Sequence, residues 1–291
     1  MTLEELNSEK SIDLRNILDL AIRNSKIGAN SSNCGYQSKN GKRHINYMSN
    51  VAWEEYISNL KDHRKCFKLE IAGDPPKMAS YGSSSQMTYE LFKDKSAEFE
   101  KSLETIVGGK AKLDVYINTD NRDIYVEAKR REIYGDYSTI EASDKYANIY
   151  QYIHENHNAF AFSSTKSNKQ GQSKYSFKYN GKPIEHFDIK QLICHFLGIS
   201  ADIINNTKTK PVRFLYLIFN PYTIESRIDE RYRQDILDIY DITRSEIDSV
   251  DPYALFKVIF DYQSKLLNKK VAIPNFEFRL ESQDTFEKAL K

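Results

Sequence analysis

The stretch KAKLDVYINTDNRDIYVEAKRR, residues 110–131, decides the fold. It contains two short segments in which apolar and polar residues alternate, which is the pattern of half-buried β-strands. Between them lies the polar run NTDNRD, residues 118–123, which is rich in turn-forming residues. The stretch therefore predicts an antiparallel β-hairpin.

The same alternation predicts the register of the hairpin. If Ile117 faces Ile124, the aliphatic residues of both segments fall on one face of the ribbon. Asp114 then lies opposite Glu127, and Lys129 projects from the same face one pleat further on. Cross-strand neighbours have Cβ atoms about 4.5–5.5 Å apart, so that the two carboxylates can hold one cation. A slip by one residue would lose both the buried face and the carboxylate pair.

Two adjacent carboxylates repel each other unless a proton or a cation lies between them. Mg²⁺ prefers oxygen ligands, keeps several water molecules and takes only one or two protein carboxylates. A bound metal ion makes its water a better nucleophile and neutralises the charge that builds on a phosphate. Lys129 can orient that water. The pattern thus predicts metal-dependent hydrolysis of a phosphodiester, with no side-chain nucleophile.

Asp114, followed on the next strand by Glu127-Ala128-Lys129, resembles the D…(D/E)-x-K core of the PD-(D/E)xK nucleases, the restriction-endonuclease-like superfamily. The resemblance implies an α/β fold with a mixed central sheet flanked by helices, and extra helices at both ends. It implies Mg²⁺ as the cofactor, with Mn²⁺ as a substitute, and DNA as the substrate. It also implies that the Ala128 carbonyl joins the two carboxylates as a metal ligand.

The resemblance covers roughly residues 87–221 and departs from the family pattern at Leu113, which stands where many members have proline. In that family a helix with a glutamate commonly precedes the hairpin. Here the segment KDKSAEFEKSLETIV, residues 93–107, predicts such a helix, which ends at a pair of glycines. Its candidate acids are Glu98, Glu100 and Glu104. Glu100 is the expected supporting residue of the site, and Glu104 is its close rival.

Other interpretations of these residues remain open. Asp, Glu and Lys can be ordinary charges on a solvated strand face, and the E-x-K pattern alone is common. Asp188-Ile189-Lys190 forms a second D-x-K, but it lies where a helix is predicted to begin and an acidic cap is expected. Two further alternatives are a catalytically silent nuclease-fold module, which binds nucleic acid or a protein partner, and an RNA-directed nuclease.

The chain of 291 residues has a formal net charge of only +1, so that nucleic-acid binding would need local basic patches. The segment SSTKSNKQGQSKYSFKYNGK, residues 163–182, mixes lysines with Tyr and Phe. Such a mixture can hold a phosphate backbone and stack unpaired bases, or form a hairpin away from the site. The candidate nucleic-acid-binding residues are Lys42, Arg43, Arg130, Arg131 and Lys174.

The organisation predicted along the chain has three parts. Residues 1–86 form a helical and loop region, residues 87–221 form the nuclease core, and residues 222–291 form a helical extension that packs with the core. The first residues lack a signal-peptide core, and no run approaches the roughly 20 apolar residues of a membrane helix. We therefore expect a cytoplasmic protein without a membrane partner. Cleavage of both strands of a duplex would need two active sites, which predicts a homodimer.

Further elements follow from hydrophobic periodicity. Helices are predicted at residues 11–23, 50–60, 141–156 and 188–205, and strands at residues 158–163 and 211–221. Lys145 and Gln151 of the helix at 141–156 are weak candidates for the site, by analogy with family members. Cys194 and His195 are assigned to helix packing. The three cysteines, which are Cys34, Cys66 and Cys194, are expected to be reduced.

Overall fold

The structure, a computed structural model, describes residues 3–27 and 35–290, with side chains described for residues 14–26 and 35–290. The helices in these parts are α1 (Leu3–Ile27), α2 (Asn50–Leu60), α3 (Lys68–Ile71), α4 (Ser84–Phe92), α5 (Ala147–Asn156), α6 (Ile189–Asn206), α7 (Glu230–Ser249), α8 (Pro252–Leu266) and α9 (Phe286–Ala289). The strands are β1 (Tyr36–Gln37), β2 (Arg43–His44), β3 (Glu98–Glu104), β4 (Lys110–Asn118), β5 (Asp123–Lys129), β6 (Ile140–Ser143), β7 (Phe160–Lys166), β8 (Gln172–Tyr179), β9 (Lys182–Pro183), β10 (Val212–Ile218) and β11 (Phe276–Ser282).

Within the described residues, a mixed sheet of five strands forms the centre of the protein, in the order β11-β10-β5-β4-β3. β3, β4 and β5 pair antiparallel, whereas β10 pairs parallel with both β5 and β11. Every residue of β5 and β10 is buried, because helices cover both faces of these central strands. The prediction of a mixed central sheet flanked by helices is confirmed.

β4 and β5 form the predicted hairpin in the predicted register. Ile117 pairs with Ile124, and Val115 pairs with Val126. All four of these aliphatic side chains are buried, as expected where one register alone places every aliphatic residue on the same face.

The segment at residues 93–107 is a strand and not a helix, which corrects the prediction. The helix that precedes the hairpin is α4, and β3 lies at the edge of the central sheet, antiparallel to β4. Phe99 and Leu103 are the buried residues of β3. Their spacing of four residues fits both one face of a strand and one stripe of a helix, so that periodicity does not distinguish the two.

The glycine pair that was expected to end a helix instead forms the turn between β3 and β4. Gly108 and Gly109 have φ angles of 82° and 93°, a conformation that glycine adopts without steric cost. Thr105 N donates a hydrogen bond to Gly109 O across this turn at 3.0 Å. The two glycines therefore allow the chain to reverse within a short connection.

Helix α6 packs on one face of the sheet against β3 and β4, and α4 packs against β4 and β5. The approach of α6 is closest at Gly198, where an added Cβ atom would lie 2.6 Å from the Cβ atom of Ala111 and 3.1 Å from that of Leu103. Carbon atoms in contact are normally about 3.5–4.0 Å apart. The missing side chain of Gly198 thus sets the distance between α6 and the sheet.

A second sheet has the order β6-β8-β7, with β9 paired to β8. It forms partly from the segment that was predicted as one helix at residues 141–156, which divides into β6 and α5 and corrects that boundary. Tyr175, Phe177 and Tyr179 of β8 are buried, and the ring of Tyr150 on α5 lies 4.9 Å from that of Tyr175 and 5.1 Å from that of Phe177. These aromatic residues belong to the core, so that of the two alternatives for this segment the structure favours a hairpin over the stacking of unpaired bases.

The region of residues 222–291 contributes a strand to the central sheet as well as helices. β11 pairs in parallel with β10 along its whole length, which corrects the prediction of a purely helical extension. The other predicted helices and strands are present as α1, α2, α6, β7 and β10.

The described cysteines form no disulfide: Cys66 is exposed and Cys194 is partly buried, and both are free thiols. Cys34 lies outside the described residues. In the parts of the chain that the structure describes, no helix combines the length and the apolar character needed to cross a membrane.

Candidate functional site

A row of polar side chains crosses three neighbouring strands of the central sheet. The register of the β4–β5 hairpin, continued by one residue, puts Asp114 opposite Glu127. In the β3–β4 ladder the pairs Phe99–Val115 and Lys101–Leu113 flank Glu100 and Asp114, which places these two residues side by side, at a point where Glu100 has a φ angle of 54°. Lys129 lies two residues beyond Glu127 and therefore on the same face of β5. The structure thus brings together the three residues selected from the hairpin, with Glu100 next in the row.

The carboxylate of Glu127 is buried, with 2% of the residue exposed, and both of its oxygen atoms have partners. Lys129 Nζ donates to Oε1 at 2.6 Å, and Gln191 Nε2 donates to the same oxygen at 2.8 Å. Gln191 Oε1 accepts in turn from Lys129 Nζ at 2.7 Å. His195 Nε2 lies 2.9 Å from Glu127 Oε2. The carboxylate is therefore held from two sides, by its own strand and by α6.

Gln191 and His195 reach Glu127 together because they lie four residues apart on one face of α6. The sequence did not select Gln191, and it assigned His195 to packing, which the structure corrects. The signal that could have found them is a polar pair at this spacing within an otherwise apolar helix stripe. His195 Nδ1 is buried and has no hydrogen-bond partner among the described residues.

The helix that carries this pair begins where the sequence predicts. Asp188 Oδ1 accepts a hydrogen bond from Gln191 N at 2.9 Å and so caps the first turn of α6. The second D-x-K pattern, Asp188 to Lys190, is confirmed as a helix start.

The neighbours of Glu127 and Lys129 keep both groups charged. Burial by itself would raise the pKa of Glu127, but the charges of Lys129 and His195 outweigh burial and lower that pKa to about 2. Burial by itself would lower the pKa of Lys129, but Glu127 raises that pKa well above its usual range. At neutral pH the carboxylate is ionised and the ammonium group is protonated.

The pKa values of Asp114 and Glu100 are shifted in the opposite direction, toward the protonated form. Burial, and then the charge of Glu127, raise the pKa of Asp114 well above its usual range, although Lys129 and a 2.6 Å hydrogen bond from Ala128 N to Oδ2 oppose this shift. Burial, and then the charge of Glu70 on α3, raise the pKa of Glu100 to about 7. The row therefore holds more carboxyl groups than its one buried ammonium group can neutralise.

The residues in the row fit a Mg²⁺ ion. Among the described residues, no group of three or more His, Cys, Asp and Glu side chains is arranged to hold a metal ion. Mg²⁺ does not need such a group, because it binds through one or two carboxylates and several water molecules. Burial raises the pKa of Asp114 most, and the neighbouring charge of Glu127 raises it further, as expected for two adjacent carboxyl groups. A divalent cation between them would relieve this repulsion.

Of the three candidate glutamates, Glu100 alone belongs to this row. Glu98 is exposed and its Oε2 lies 2.8 Å from Lys101 Nζ. Glu104 is also exposed, and its Oε1 lies 3.0 Å from Lys110 Nζ at the turn end of the β3–β4 hairpin. Both therefore form ordinary surface ion pairs.

Lys145, which lies in a short turn just before α5, and Gln151, which lies on α5, do not reach the hairpin carboxylates. Lys145 Nζ contacts the carbonyl oxygen of Gly108. Gln151 is exposed, and its Nε2 donates to Glu155 Oε1 at 2.7 Å. The helix that contributes to the site is α6 and not α5, which corrects this expectation.

The candidate nucleic-acid-binding residues are in different environments. Arg130 is only 3% exposed, and its Nη1 donates to Ser83 O and Gln86 Oε1, both at 3.3 Å, so that it cannot meet a phosphate. The side chain of Arg131 is partly exposed and lies 2.7 Å from Asp19 Oδ2. The exposed candidates are Lys42, Arg43 and Lys174.

A cavity of about 460 Å³ lies beside the row, between α6 and the second sheet. Gln191 and Cys194 line it from α6, and Ser143 and Gln172 line it from β6 and β8. Because Gln191 also contacts Glu127 and Lys129, the cavity adjoins the candidate site.

Comparison of the chain with protein-family models, with curated proteins and with solved structures gives no match. The function must therefore be inferred from the geometry of the site and from the resemblance of its motif.

The raised pKa of Glu100 predicts a pH-dependent effect on stability. Between about pH 4.5 and 7 the unfolded chain releases the proton of Glu100 while the folded chain retains it, so that rising pH favours unfolding. We expect Glu100→Gln to increase the free energy of unfolding by about 1–2 kcal/mol at pH 8 and to leave it unchanged near pH 4. This is less than the full shift would give, because the side chain is partly exposed. Urea unfolding at several pH values measures the difference.

Glu104→Gln is the matched control for this prediction, because Glu104 lies on the same strand in an exposed ion pair. We expect it to change the free energy of unfolding by less than about 0.5 kcal/mol at either pH. An effect of Glu100→Gln that is equal at pH 4 and pH 8 would contradict the placement of Glu100.

Proposed function

We propose that this protein is a Mg²⁺-dependent endonuclease that hydrolyses DNA phosphodiester bonds, of the restriction or defence type. The observation that carries the proposal is the convergence of Asp114, Glu127 and Lys129 on one face of the β4–β5 hairpin. The order of elements supports it, since a helix precedes the hairpin and α6 and β10 follow it. This order agrees with the restriction-endonuclease-like core that the motif implies.

In this proposal Asp114, Glu127 and the Ala128 carbonyl hold Mg²⁺, which supplies an activated water molecule and neutralises charge on the phosphate. Glu127 is ionised at neutral pH and is therefore ready to act as a ligand. A carboxylate has about four lone pairs, and the contacts with Lys129, Gln191 and His195 leave Oε2 able to accept a further partner.

Lys129 acts in this proposal as a hydrogen-bond donor and a positive charge, and not as a base. Its raised pKa keeps the ammonium group protonated. Such a group orients the attacking water through a lone pair of the water oxygen and offsets the negative charge at the phosphate. Gln191 fixes the position of Nζ because its Oε1 accepts a hydrogen bond from Lys129. Glu100 adds a further carboxyl group to the site, next to Asp114.

The first test is cleavage by an Asp114→Asn variant. Asparagine retains an acceptor for Ala128 N and has the same shape, so that the fold is preserved while the negative charge is lost. We expect cleavage of DNA in the presence of Mg²⁺ to fall by at least about a thousandfold, which corresponds to about 4 kcal/mol of activation free energy. The measurement uses plasmid, linear duplex, single-stranded DNA and RNA, each with and without Mg²⁺.

Lys110→Ala is the control, because Lys110 lies on the same hairpin but in an exposed ion pair with Glu104. It should cleave as the parent protein does. Lys129→Ala should also abolish cleavage, but its unfolding must be measured in parallel, since removal of one partner of a buried ion pair costs about 3–5 kcal/mol. Full activity of folded Asp114→Asn would refute the proposal.

A catalytically silent nuclease-fold module is the second candidate function, and one observation favours it. The buried Lys129 already provides Glu127 with a positive charge, and Gln191 and His195 complete its contacts. A site whose charges are balanced in this way can exist without a metal ion and serve only to stabilise the fold. This candidate would bind nucleic acid or a protein partner without cleaving a substrate.

Metal binding distinguishes the two candidates. For the nuclease we expect calorimetry to detect Mg²⁺ or Mn²⁺ binding to the parent protein and its loss in Asp114→Asn, because Asp114 provides a carboxylate ligand. Glu98→Gln, which alters an exposed acid of the same sheet, should leave binding unchanged. Retained DNA affinity without any binding of either metal would instead favour the silent module.

The proposal extends to a homodimer on DNA, because each strand of a duplex needs its own active site. Light scattering of the Asp114→Asn protein with a short duplex in excess should give the mass of two chains and one duplex. A mass of one chain and one duplex would contradict this part of the proposal and leave the chemistry of the site unaffected.

A further inference from the structure

We infer that a cavity at the carboxyl ends of three parallel strands binds a small organic carboxylate with an apolar body. The cavity has a volume of about 350 Å³, which is within the usual range of small-molecule sites. None of the residues that line it belongs to the candidate site described above. The inference therefore goes beyond the proposed function and does not rest on it.

The cavity lies at one edge of the central sheet. Strands β5, β10 and β11 run parallel to one another, so that their carboxyl ends lie at the same edge. Each of the three strands is followed directly by a residue that lines the cavity: Arg130 follows β5, Phe219 follows β10 and Gln283 follows β11. In open α/β sheets, small ligands typically bind in the crevice outside these carboxyl ends. The cavity is therefore where such a sheet is expected to hold a ligand.

Most of the cavity wall is apolar. The apolar residues come from α1, from α4 and from the chain after β10, and they are Ile22, Met87, Leu91, Phe219 and Ile224. Lys26 and Glu90 also line the cavity, and they form an ion pair with each other at 2.7 Å. Asp284 lines it as well but is exposed, whereas Arg130 is buried. A molecule in the cavity thus meets an apolar wall with one buried guanidinium group.

Arg130 is the residue that indicates a ligand. Its guanidinium group has five N–H donors. Nη1 donates to Ser83 O and Gln86 Oε1, but Nε and Nη2 have no acceptor among the described residues. Nε is enclosed by protein atoms, so that Nη2 is the donor that a ligand can reach. Because buried donors are normally paired, we expect an acceptor in the cavity to complete the contacts of Arg130.

The charge of Arg130 also lacks a direct partner. Arg130 forms no ion pair with any described residue, and Glu90 and Asp19 are each paired with another cation. Burial lowers the pKa of Arg130. The charges of the nearby carboxylates, which are Glu90, Asp19 and Glu132, oppose this shift without reversing it. Burial, and then the charge of Arg130, lower the pKa of Lys26 as well. A bound anion would offset the positive charge of both side chains.

These features together favour a ligand with one carboxylate and an apolar body. A carboxylate makes stronger hydrogen bonds with a guanidinium group than a neutral acceptor does. Arg130 Cζ lies 5.2 Å from the centre of the Phe219 ring, so that apolar surface adjoins the charge. The negative charges of Glu90 and Asp284 disfavour a ligand with several negative charges, such as a nucleotide. The burial that separates Arg130 from a DNA backbone does not prevent its contact with a small molecule in the cavity.

The test uses the full chain, with 3-phenylpropionate as the probe. Binding is measured by ligand-observed NMR titration, and we expect it to be saturable. The alcohol 3-phenylpropan-1-ol has the same apolar body without the charge. It should bind at least about tenfold more weakly, because a hydrogen bond between charged groups contributes more than a neutral one. Inorganic phosphate, which lacks the apolar body, should not displace the probe.

Two variants remove the site in different ways. Leu91→Trp fills the cavity from α4 and leaves Arg130 in place, whereas Arg130→Met removes the donors and keeps an unbranched side chain. Each should bind the probe at least about tenfold more weakly. Leu69→Trp and Arg64→Met are the matched controls, because both residues are exposed and lie outside the cavity, and they should bind as the parent protein does. Thermal unfolding shows which variants are folded, and Leu91→Trp decides if Arg130→Met is not.

Absence of saturable binding at millimolar probe would overturn the inference, and so would unchanged binding in folded Leu91→Trp. Equal affinity for the alcohol would contradict the assignment of a carboxylate ligand. Displacement of the probe by inorganic phosphate would indicate a site for bare anions and would also contradict the inference. Cleavage of DNA has no part in these outcomes, since Leu91 and Arg130 lie outside the candidate site. Failure of the proposed function therefore leaves this inference intact, and the reverse holds as well.

Discussion

The structure depends on how the buried carboxylate of Glu127 is compensated. An isolated charge at this depth would cost several kcal/mol, and the cost is offset only when the charge is paired and hydrogen-bonded. The compensation comes from Lys129 on the same strand and from Gln191 and His195 on α6. Helix α6 must therefore dock at one rotation and one height above β5, and the absence of a side chain at Gly198 allows that height.

The hairpin and most of the helices could be predicted from the sequence, because their apolar residues recur with a spacing that fits only a strand or only a helix. In β4 and β5 a shift by one residue would expose every aliphatic side chain, so that the register was determined as well. β3 could not be identified in this way, since Phe99 and Leu103 fit either period. β11 was missed because its partner β10 lies far away in the sequence, and parallel pairing leaves no local turn signal.

Only those residues of the candidate site that lie close together in the sequence could be predicted. Asp114, Glu127 and Lys129 share one hairpin, so that alternation alone brings them together. The contribution of Gln191 and His195 depends on the docking of a helix some 60 residues later, as the separation of 62 residues between Lys129 and Gln191 shows. The burial of individual side chains could not be predicted either. Arg130 has the sequence context of an exposed residue at a strand end, but α4 covers the face to which it points.

The position of β11 has a consequence for the nascent polypeptide. When β10 leaves the ribosome, one of its backbone edges still lacks a neighbour, and all of its side chains are of the kind that this protein buries. An open apolar edge of this kind is a template for association with other chains. The edge is closed only when Phe276–Ser282, which begins 58 residues after the end of β10, has been synthesised. Until then this edge of β10 remains open to association with other incompletely folded chains.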